Sequence, residues 1–280
     1  MPTPTPPTPS RRRARLGFAL LAAAVLAVAL ALLDAFLIEP RWVATRHLTI
    51  GAQPTVRLVH ITDLHYHGND ADVQGVVDRI NALAPDFVCF TGDLVEEPQY
   101  VAGALRLLGG LQAPLYGVPG NHDYWSGALL DSIVAGFRAT GGDWLQNRSV
   151  CLARHGVQLS GYAGLRPAGL DPAGSADHPV RSPNAPPAGA VVKHLVLTHY
   201  PLNAEELPPG SCALILAGHT HGGQIRLPGI GALLLPHGTG RYDLGRFDTA
   251  AGPLYVGAGL GTYFLHARFC NRPEIAVIRF

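Results

Sequence analysis

From residue 56 onward the chain repeats one pattern: a short apolar run that stops abruptly at polar or glycine-rich residues. The run 56–61 stops at Thr62-Asp63-Leu64-His65, the run 87–90 at Thr91-Gly92-Asp93, and the run 115–118 at Pro119-Gly120-Asn121-His122-Asp123. Residues 195–197 lead into Thr198-His199, and residues 214–217 into Gly218-His219-Thr220-His221. Runs this short, bounded by turn formers, predict buried strands whose C-terminal ends carry the polar groups. Val73, Val76, Val77, Ile80 and Leu83 fall at helical spacing after the first strand. Leu129, Leu130, Ile133, Val134 and Phe137 do the same after the third. Strand, helix, strand in this order calls for crossover connections and mostly parallel pairing. Further apolar runs near 157–160, 254–257 and 275–280 have no long helix between them. The expected fold class is therefore α/β, with a two-layered β-sandwich core flanked by helices. Residues 164–190, rich in Pro, Gly and Ala, break the rhythm and read as a long surface loop.

The N-terminal forty residues are of a different kind. Residues 1–10 are rich in Pro and Thr and read as a disordered tail. Arg11, Arg12, Arg13 and Arg15 follow, and residues 16–33 then run without a charged side chain. As a helix that run spans about 27 Å, close to the roughly 30 Å of a bilayer's hydrocarbon core. Past Asp34, residues 35–38 extend it toward Trp42, a suitable interfacial residue. The unbroken apolar character argues against a buried core helix. Ala29-Leu30-Ala31 resembles a signal-peptide cleavage site, which makes cleavage the competing reading. The paired arginines weakly resemble a twin-arginine signal, but Ala14 stands where that motif prefers an aromatic. Length and flanks favour an uncleaved, single-pass transmembrane anchor at 16–38. The expected organisation is a basic cytoplasmic tail (1–15), the anchor, a linker (39–55) and a catalytic domain (56–280) outside the bacterial inner membrane.

Charge changes this picture little. Once the four N-terminal arginines are set aside, 17 basic side chains face 20 acidic ones. No basic face is implied, so nucleic acid is not an expected partner. The cysteines, Cys89, Cys151, Cys212 and Cys270, are too dispersed for a zinc knuckle or a redox dithiol. Cys89 and Cys212 lie in apolar runs, where a thiol behaves as a small hydrophobe.

The chemistry gathers at the strand ends. Asp63 and His65 are two apart, as are His219 and His221, and in an extended segment such residues point to one side. Asp, Asn and His supply oxygen and nitrogen donors suited to zinc, manganese or iron. Taken singly, each is as well explained by turn chemistry or an exposed surface. Five such motifs in one order, each closing a strand, point instead to a metal site.

In these motifs the chain resembles the calcineurin-like metallophosphoesterase family. That family's pattern of Asp-x-His, Gly-Asp, Gly-Asn-His-Asp/Glu, a separate His and Gly-His-x-His is complete here, over about residues 57–280. The ending Arg268-Phe269-Cys270-Asn271-Arg272-Pro273-Glu274 resembles a membrane-anchored bacterial branch. The resemblance implies two divalent metal ions (Mn2+, Zn2+ or Fe2+). Asp63, His65 and His221 would hold the first, Asn121, His199 and His219 the second, and Asp93 would bridge them. His122 resembles a non-ligand histidine that protonates the leaving group after attack of a metal-bound hydroxide. Two such ions, two carboxylates and a hydroxide leave a net charge of about +1, enough to draw a phosphate into an acidic domain.

One departure bears on the substrate. Phosphoprotein phosphatases of this superfamily follow Gly-Asp with x-x-Asp-Arg, whereas here Leu94-Val95-Glu96-Glu97 occupies those places. Glu96 can orient His122, but Glu97 puts an anion where a phosphate-binding Arg is expected. This turns the reading toward a phosphodiester or pyrophosphate, in a lipid or envelope precursor. Cleavage of UDP-2,3-diacylglucosamine in lipid A synthesis is one candidate, opposed by an outward-facing domain. The rival readings are a phosphoprotein or phosphomonoester phosphatase and a non-catalytic, metal-stabilised binding module. The second predicts decay at Asp93 or His122, and both are present. Arg241, Arg246 and Arg268 are candidate phosphate holders, with a solvated surface as the ordinary alternative. Tyr124 and Trp125 can line a pocket or pack in the core. His67 can edge the site or lie on the surface, and His60 should pack inside its strand.

Overall fold

The computed structural model describes residues 11–163 and 193–280. Residues 1–10 of the expected tail and the Pro-rich loop expected at 164–190 lie outside the described residues, while residues 11–15 of that tail are helical. Helix α1 (Arg11–Leu33) runs through a π-turn (Asp34–Ile38) and a 3-10 turn (Glu39–Arg41) into β1 (Ala44–Thr49) and β2 (Arg57–Ile61). There follow α2 (Asp70–Leu83), β3 (Phe87–Phe90), α3 (Val101–Leu108), β4 (Leu115–Gly117), α4 (Asn121–Trp125), α5 (Leu130–Ala139) and β5 (Asp143–Trp144). The second half holds β6 (Ser149–Leu152), β7 (Val157–Tyr162), β8 (Lys193–Thr198) and β9 (Leu214–Ala217). A small hairpin, β10 (Arg226–Leu227) and β11 (Gly231–Ala232), precedes β12 (Gly245–Asp248), β13 (Pro253–Val256) and β14 (Glu274–Arg279).

These strands form two six-stranded sheets, ordered β1-β14-β2-β3-β4-β5 and β12-β13-β9-β8-β7-β6. Strands β2 to β5 run parallel, as their intervening helices require. So do β7, β8, β9 and β13. The sheets are nonetheless mixed. β14 runs antiparallel to β2, and short turns make β6 and β12 antiparallel to their neighbours.

The two-residue period of a strand explains the layering. In β2, Leu58 packs between the sheets with Cys89, Leu195, Leu197, Leu214, Leu216 and Ile278. Its neighbours Val59 and Ile61 face the helices, joining Val73, Val76, Val77, Ile80 and Phe137. The outer face of the second sheet buries Val196, Ile215, Leu254 and Val256 around Tyr242. All four cysteines are free, with Cys89 and Cys212 buried.

Two features depart from the expected organisation. Residues 39–55, read as a linker, contain β1, which pairs in parallel with β14 from Ala44 opposite Glu274 to Thr49 opposite Arg279. Its sequence, Ala-Thr-Arg-His-Leu-Thr, has no apolar run because an edge strand buries little of itself. The Arg46 Nε stands 2.7 Å from Glu274 Oε2 and fastens it. The foot of α1 is also built into the domain. Ala35 is buried and its carbonyl accepts from the Arg268 N–H at 2.9 Å. The buried Glu39 carboxylate accepts from the backbone N–H groups of Cys270 and Asn271. Above this foot the helix is apolar all round, with a mean hydropathy of 2.8 over its most apolar window and none of that window buried.

Candidate metal centre

The loops after β2, β3, β4, β8 and β9 meet at the C-terminal ends of their strands, the usual ligand-binding edge of an α/β sheet. Local backbone geometry there is unusual. Asp63, His65, Asp93, His219 and His221 all have positive φ, between 43° and 71°. Each such residue costs of order 1–3 kcal/mol and persists only where its surroundings over-determine it. Here they do. Asp63 N donates to Gly92 O at 2.9 Å, His65 N to Asp93 O at 3.1 Å, and Gly261 N to Asp63 O at 2.7 Å. The Asn271 side chain donates to the His221 carbonyl at 2.5 Å. Two motif glycines are needed for the approach of these loops. A Cβ on Gly92 would lie 2.5 Å from Gly120 N, and one on Gly120 would lie 2.1 Å from Asp93 Oδ1.

Six buried side chains fall into two triads, Asp63–His65–His221 and Asp93–His199–His219. Asp93 lies between them, with Oδ2 3.2 Å from His199 Nε2 and 3.6 Å from His65 Nε2. Asn121 Oδ1 is 3.0 Å from His199 Nε2 and joins the second group. On three of the four histidines, the ring nitrogen that converges is the one left free by an outer hydrogen bond. His199 Nδ1–H donates to Thr91 O (2.7 Å), His219 Nε2–H to His237 O (2.6 Å), and His65 Nδ1–H to Glu96. Such outer partners set the tautomer and aim the ligand lone pair. The aimed pairs, His65 Nε2 with His221 Nε2 and His199 Nε2 with His219 Nδ1, stand 3.0 and 3.1 Å apart. Two nitrogens at about 2.1 Å from one ion, subtending about 90–110°, are separated by about 3.0–3.4 Å. The donor set therefore fits a pair of divalent ions.

Electrostatics point the same way. Burial opposes ionisation of Asp93, but His199 and His65 overcome it and hold the carboxyl far below its ordinary range. Burial equally opposes charge on His199, yet Asp93 and then Asp63 push its pKa up to about 9. Burial raises Asp63 and lowers His221, while burial and the charge on His199 bring His219 down to about 3. The carboxylates of this buried pocket thus call for positive charge, while burial favours the neutral form of His219 and His221, the form that ligates a metal.

At the edge of the triads, Glu96 bridges two imidazoles. Its Oε2 lies 2.9 Å from His122 Nδ1, and its Oε1 takes the His65 Nδ1 hydrogen. Burial works against both members. Even so, His122 and His65 hold Glu96 near 2, and Glu96 with Asp93 raises His122 above its ordinary value. Glu97 is exposed, and its carboxylate accepts from Gln99.

All nine residues singled out by sequence thus gather in one place, and of the secondary candidates Tyr124 and Trp125 stand beside them. Arg268 is fully buried and holds no phosphate: it braces the carbonyls of Ala258, Gly261 and Asn271 at 2.9, 2.6 and 3.1 Å. Arg241 stacks on Tyr242, and Arg246 lies 3.7 Å from Asp248, both exposed. Trp125 meets the His122 ring edge-on at 5.0 Å, and Tyr124 accepts from Gln146 at 3.0 Å. His67 pairs with the exposed His266, and His60 is buried against Thr91 at 2.8 Å.

Three participants carried no sequence signal of their role. Asp123 accepts from the N–H groups of Asp93, Leu94 and Gly120 at 2.8–2.9 Å and so shapes the Asp93 loop. Its place in the Gly-Asn-His-Asp run was the available hint. Asn271 holds the His221 carbonyl from fifty residues away. Tyr263 places its ring 4.5 Å from that of His122 and 6.0 Å from that of His65.

Comparison with known proteins agrees with this geometry. A family model described as "Calcineurin-like phosphoesterase" matches residues 56–223. The chain is 29% identical over 263 residues to the uncharacterized metallophosphoesterase YkuE of Bacillus subtilis (strain 168), covering 86% of each. It is 26% identical over 235 residues to the phosphodiesterase YaeI of Escherichia coli (strain K12), covering 79% of this chain and 81% of that one. It is also 28% identical over 240 residues to the uncharacterized metallophosphoesterase Cj0846 of Campylobacter jejuni. That match covers 80% of this chain but 58% of the relative, little more than half its length.

Proposed function

The chain belongs to the calcineurin-like phosphoesterase family, and from that premise we propose that it is a membrane-anchored phosphodiesterase. Its substrate would be a phosphodiester or pyrophosphate in a lipid or envelope precursor. The observation that carries this reading is the joining of two buried His/Asp triads through Asp93, with His122 braced at their edge by Glu96.

In this reading Asp63, His65 and His221 hold one divalent ion, Asn121, His199 and His219 hold the second, and Asp93 touches both. Manganese, zinc or iron suit these donors. When bound, such a pair lowers the pKa of a shared water and neutralises charge on the phosphate during in-line displacement. The chain's own groups do the rest. Thr91, His237 and Glu96 keep their histidines in the ligating tautomer. Glu96 also favours the protonated form of His122, from which the departing oxygen would take its proton.

Glu97 supports a diester over a monoester, since an anion near the site disfavours a doubly charged phosphate. The E. coli relative YaeI is named a phosphodiesterase. The unburied, apolar α1 behind four arginines supports a single-pass anchor with the domain on the extracytoplasmic side. UDP-2,3-diacylglucosamine is the weaker candidate substrate, because a nucleotide-linked precursor belongs to the cytoplasm.

The test is a comparison of two nitrophenyl esters. The full chain in detergent, loaded with Mn2+, should turn over bis-p-nitrophenyl phosphate faster than p-nitrophenyl phosphate. The opposite preference would favour a monoester phosphatase. Failure on both with metal bound would favour the binding module.

A further inference from the structure

The metal centre continues without a break into an apolar rim. Gln224, three residues past His221, accepts from the Tyr263 N–H at 2.6 Å and donates to the Leu265 carbonyl at 2.9 Å. Its neighbour Gly223 sits against Ala232 and the Leu234 carbonyl, closely enough that a Cβ would approach them within 2.5 and 2.9 Å. Two loops therefore flank one short segment of the site. Neither 227–236 nor 257–265 contains a charged residue. At their outer ends Phe264 is 92% exposed, Leu234 81% and Ile230 73%, with Leu233 and Leu265 also exposed. Phe264 has a φ of 60°, an unfavourable conformation for a large side chain left this exposed. Large apolar residues clustered on an exposed surface mark a contact with something apolar.

What covers this rim follows from where it is tied. Phe269 N donates to Gln224 O at 3.0 Å, Arg226 N donates to Phe269 O at 2.9 Å, and the next residue but one upstream, Ala267, adjoins Arg268. Arg268 N in turn donates to Ala35 O, a carbonyl inside the apolar run 35–38. The domain is thus seated three residues inside the end of that run, within the π-turn. Trp42, exposed beneath the Arg272 guanidinium at 3.8 Å, stands beside the same foot, as interfacial tryptophans do.

We propose that Phe264, Leu265, Ile230, Leu233 and Leu234 lie in the interfacial layer of the bilayer that holds α1. The site then takes a phosphodiester carried on acyl chains directly from that layer, past Tyr263. This rests on the reading of α1 as an anchor and of the site as a phosphodiesterase. The apolar face of an interfacial helix buries about 5–10 Å into the headgroup and acyl boundary, and the same depth is available to these side chains.

The experiment uses the full chain reconstituted in phosphatidylcholine–phosphatidylglycerol vesicles. With Phe264→Trp, the added indole should show blue-shifted emission and quenching by brominated phosphatidylcholine, beyond that of the native tryptophans. An added emission that is red and unquenched would overturn the insertion. Turnover is then compared on two esters with one leaving group, bis-p-nitrophenyl phosphate in solution and a diacylglycerol p-nitrophenyl phosphodiester in the vesicle. Phe264→Ser combined with Leu234→Ser should leave kcat/KM on the soluble ester within about twofold. The same variant should lose about tenfold on the vesicle-borne one. Equal loss on both, or none on either, would overturn the proposal. Failure of the unsubstituted chain on both esters would instead overturn the phosphodiesterase reading, a result to which the quenching measurement is blind.

Discussion

Glu96 Oε2 lies 2.9 Å from His122 Nδ1, and the other oxygen of the same carboxylate takes the Nδ1 hydrogen of His65. One side chain therefore braces both the proposed acid and a proposed metal ligand. Its removal should show in the titration of the first. Glu96→Gln takes away the partner that raises His122, so the His122 pKa falls. A general acid works only below its pKa, so the alkaline limb of the kcat/KM profile should move to lower pH. An unmoved limb would show that Glu96 does not set that proton.

His122→Ala should spare the metal and damage the leaving group. On alkyl esters the rate should fall about 10²- to 10⁴-fold, the usual worth of general acid catalysis. On nitrophenyl esters, whose leaving group needs no proton, it should fall far less. Elemental analysis should show unchanged metal content. Loss of metal would make His122 a ligand instead.

Asp93→Asn tests the shared position. The carboxylate lies within 3.6 Å of both triads, so the change should abolish turnover and lower bound metal below two ions per chain. Undiminished turnover would sink the assignment of Asp93 as the bridge.

Asp123 makes a different case, because it touches no partner other than backbone in its role at the Asp93 loop. Asp123→Ala leaves three N–H groups without their acceptor. Each buried, unsatisfied group costs about 1–3 kcal/mol. Denaturant unfolding of the full chain in detergent should show a loss of about 3 kcal/mol or more. A loss within error would mean that water replaces the carboxylate.

His60 sets a pH dependence of stability. Burial holds its pKa down at about 3, against an ordinary value of 6.5. The unfolded chain therefore takes up a proton below about pH 6.5 that the folded chain refuses. Stability from this group is complete above pH 6.5 and is lost as the pH falls toward 3, by up to about 1.4 kcal/mol per unit. Between pH 7 and 5 the Tm of His60→Gln should fall less than that of the unsubstituted chain. Parallel declines would place the proton elsewhere.

Much of this protein was decided locally. Asp63, His65, Asp93, Asn121, His199, His219 and His221 could be read off because each follows an apolar run. A run that ends in a turn is both a strand signal and a ligand-presenting geometry. The helices at Val73–Ile80 and Ile133–Phe137 were legible through their period for the same reason. Other features depended on partners far away in the chain. β1 has no apolar pattern, and it is a strand because β14 offers it an edge. Arg268 looked like a surface cation, and its burial follows from three carbonyls that only converge once the loops fold. Asp123, Asn271 and Glu39 act through backbone groups, which every residue has, so their sequence neighbourhood carries no trace of the bond. The kinds of atoms that meet at the site are thus written in the chain. Which carbonyls and N–H groups hold them, and how the helix foot is seated beside them, is set by contacts between residues up to 232 positions apart.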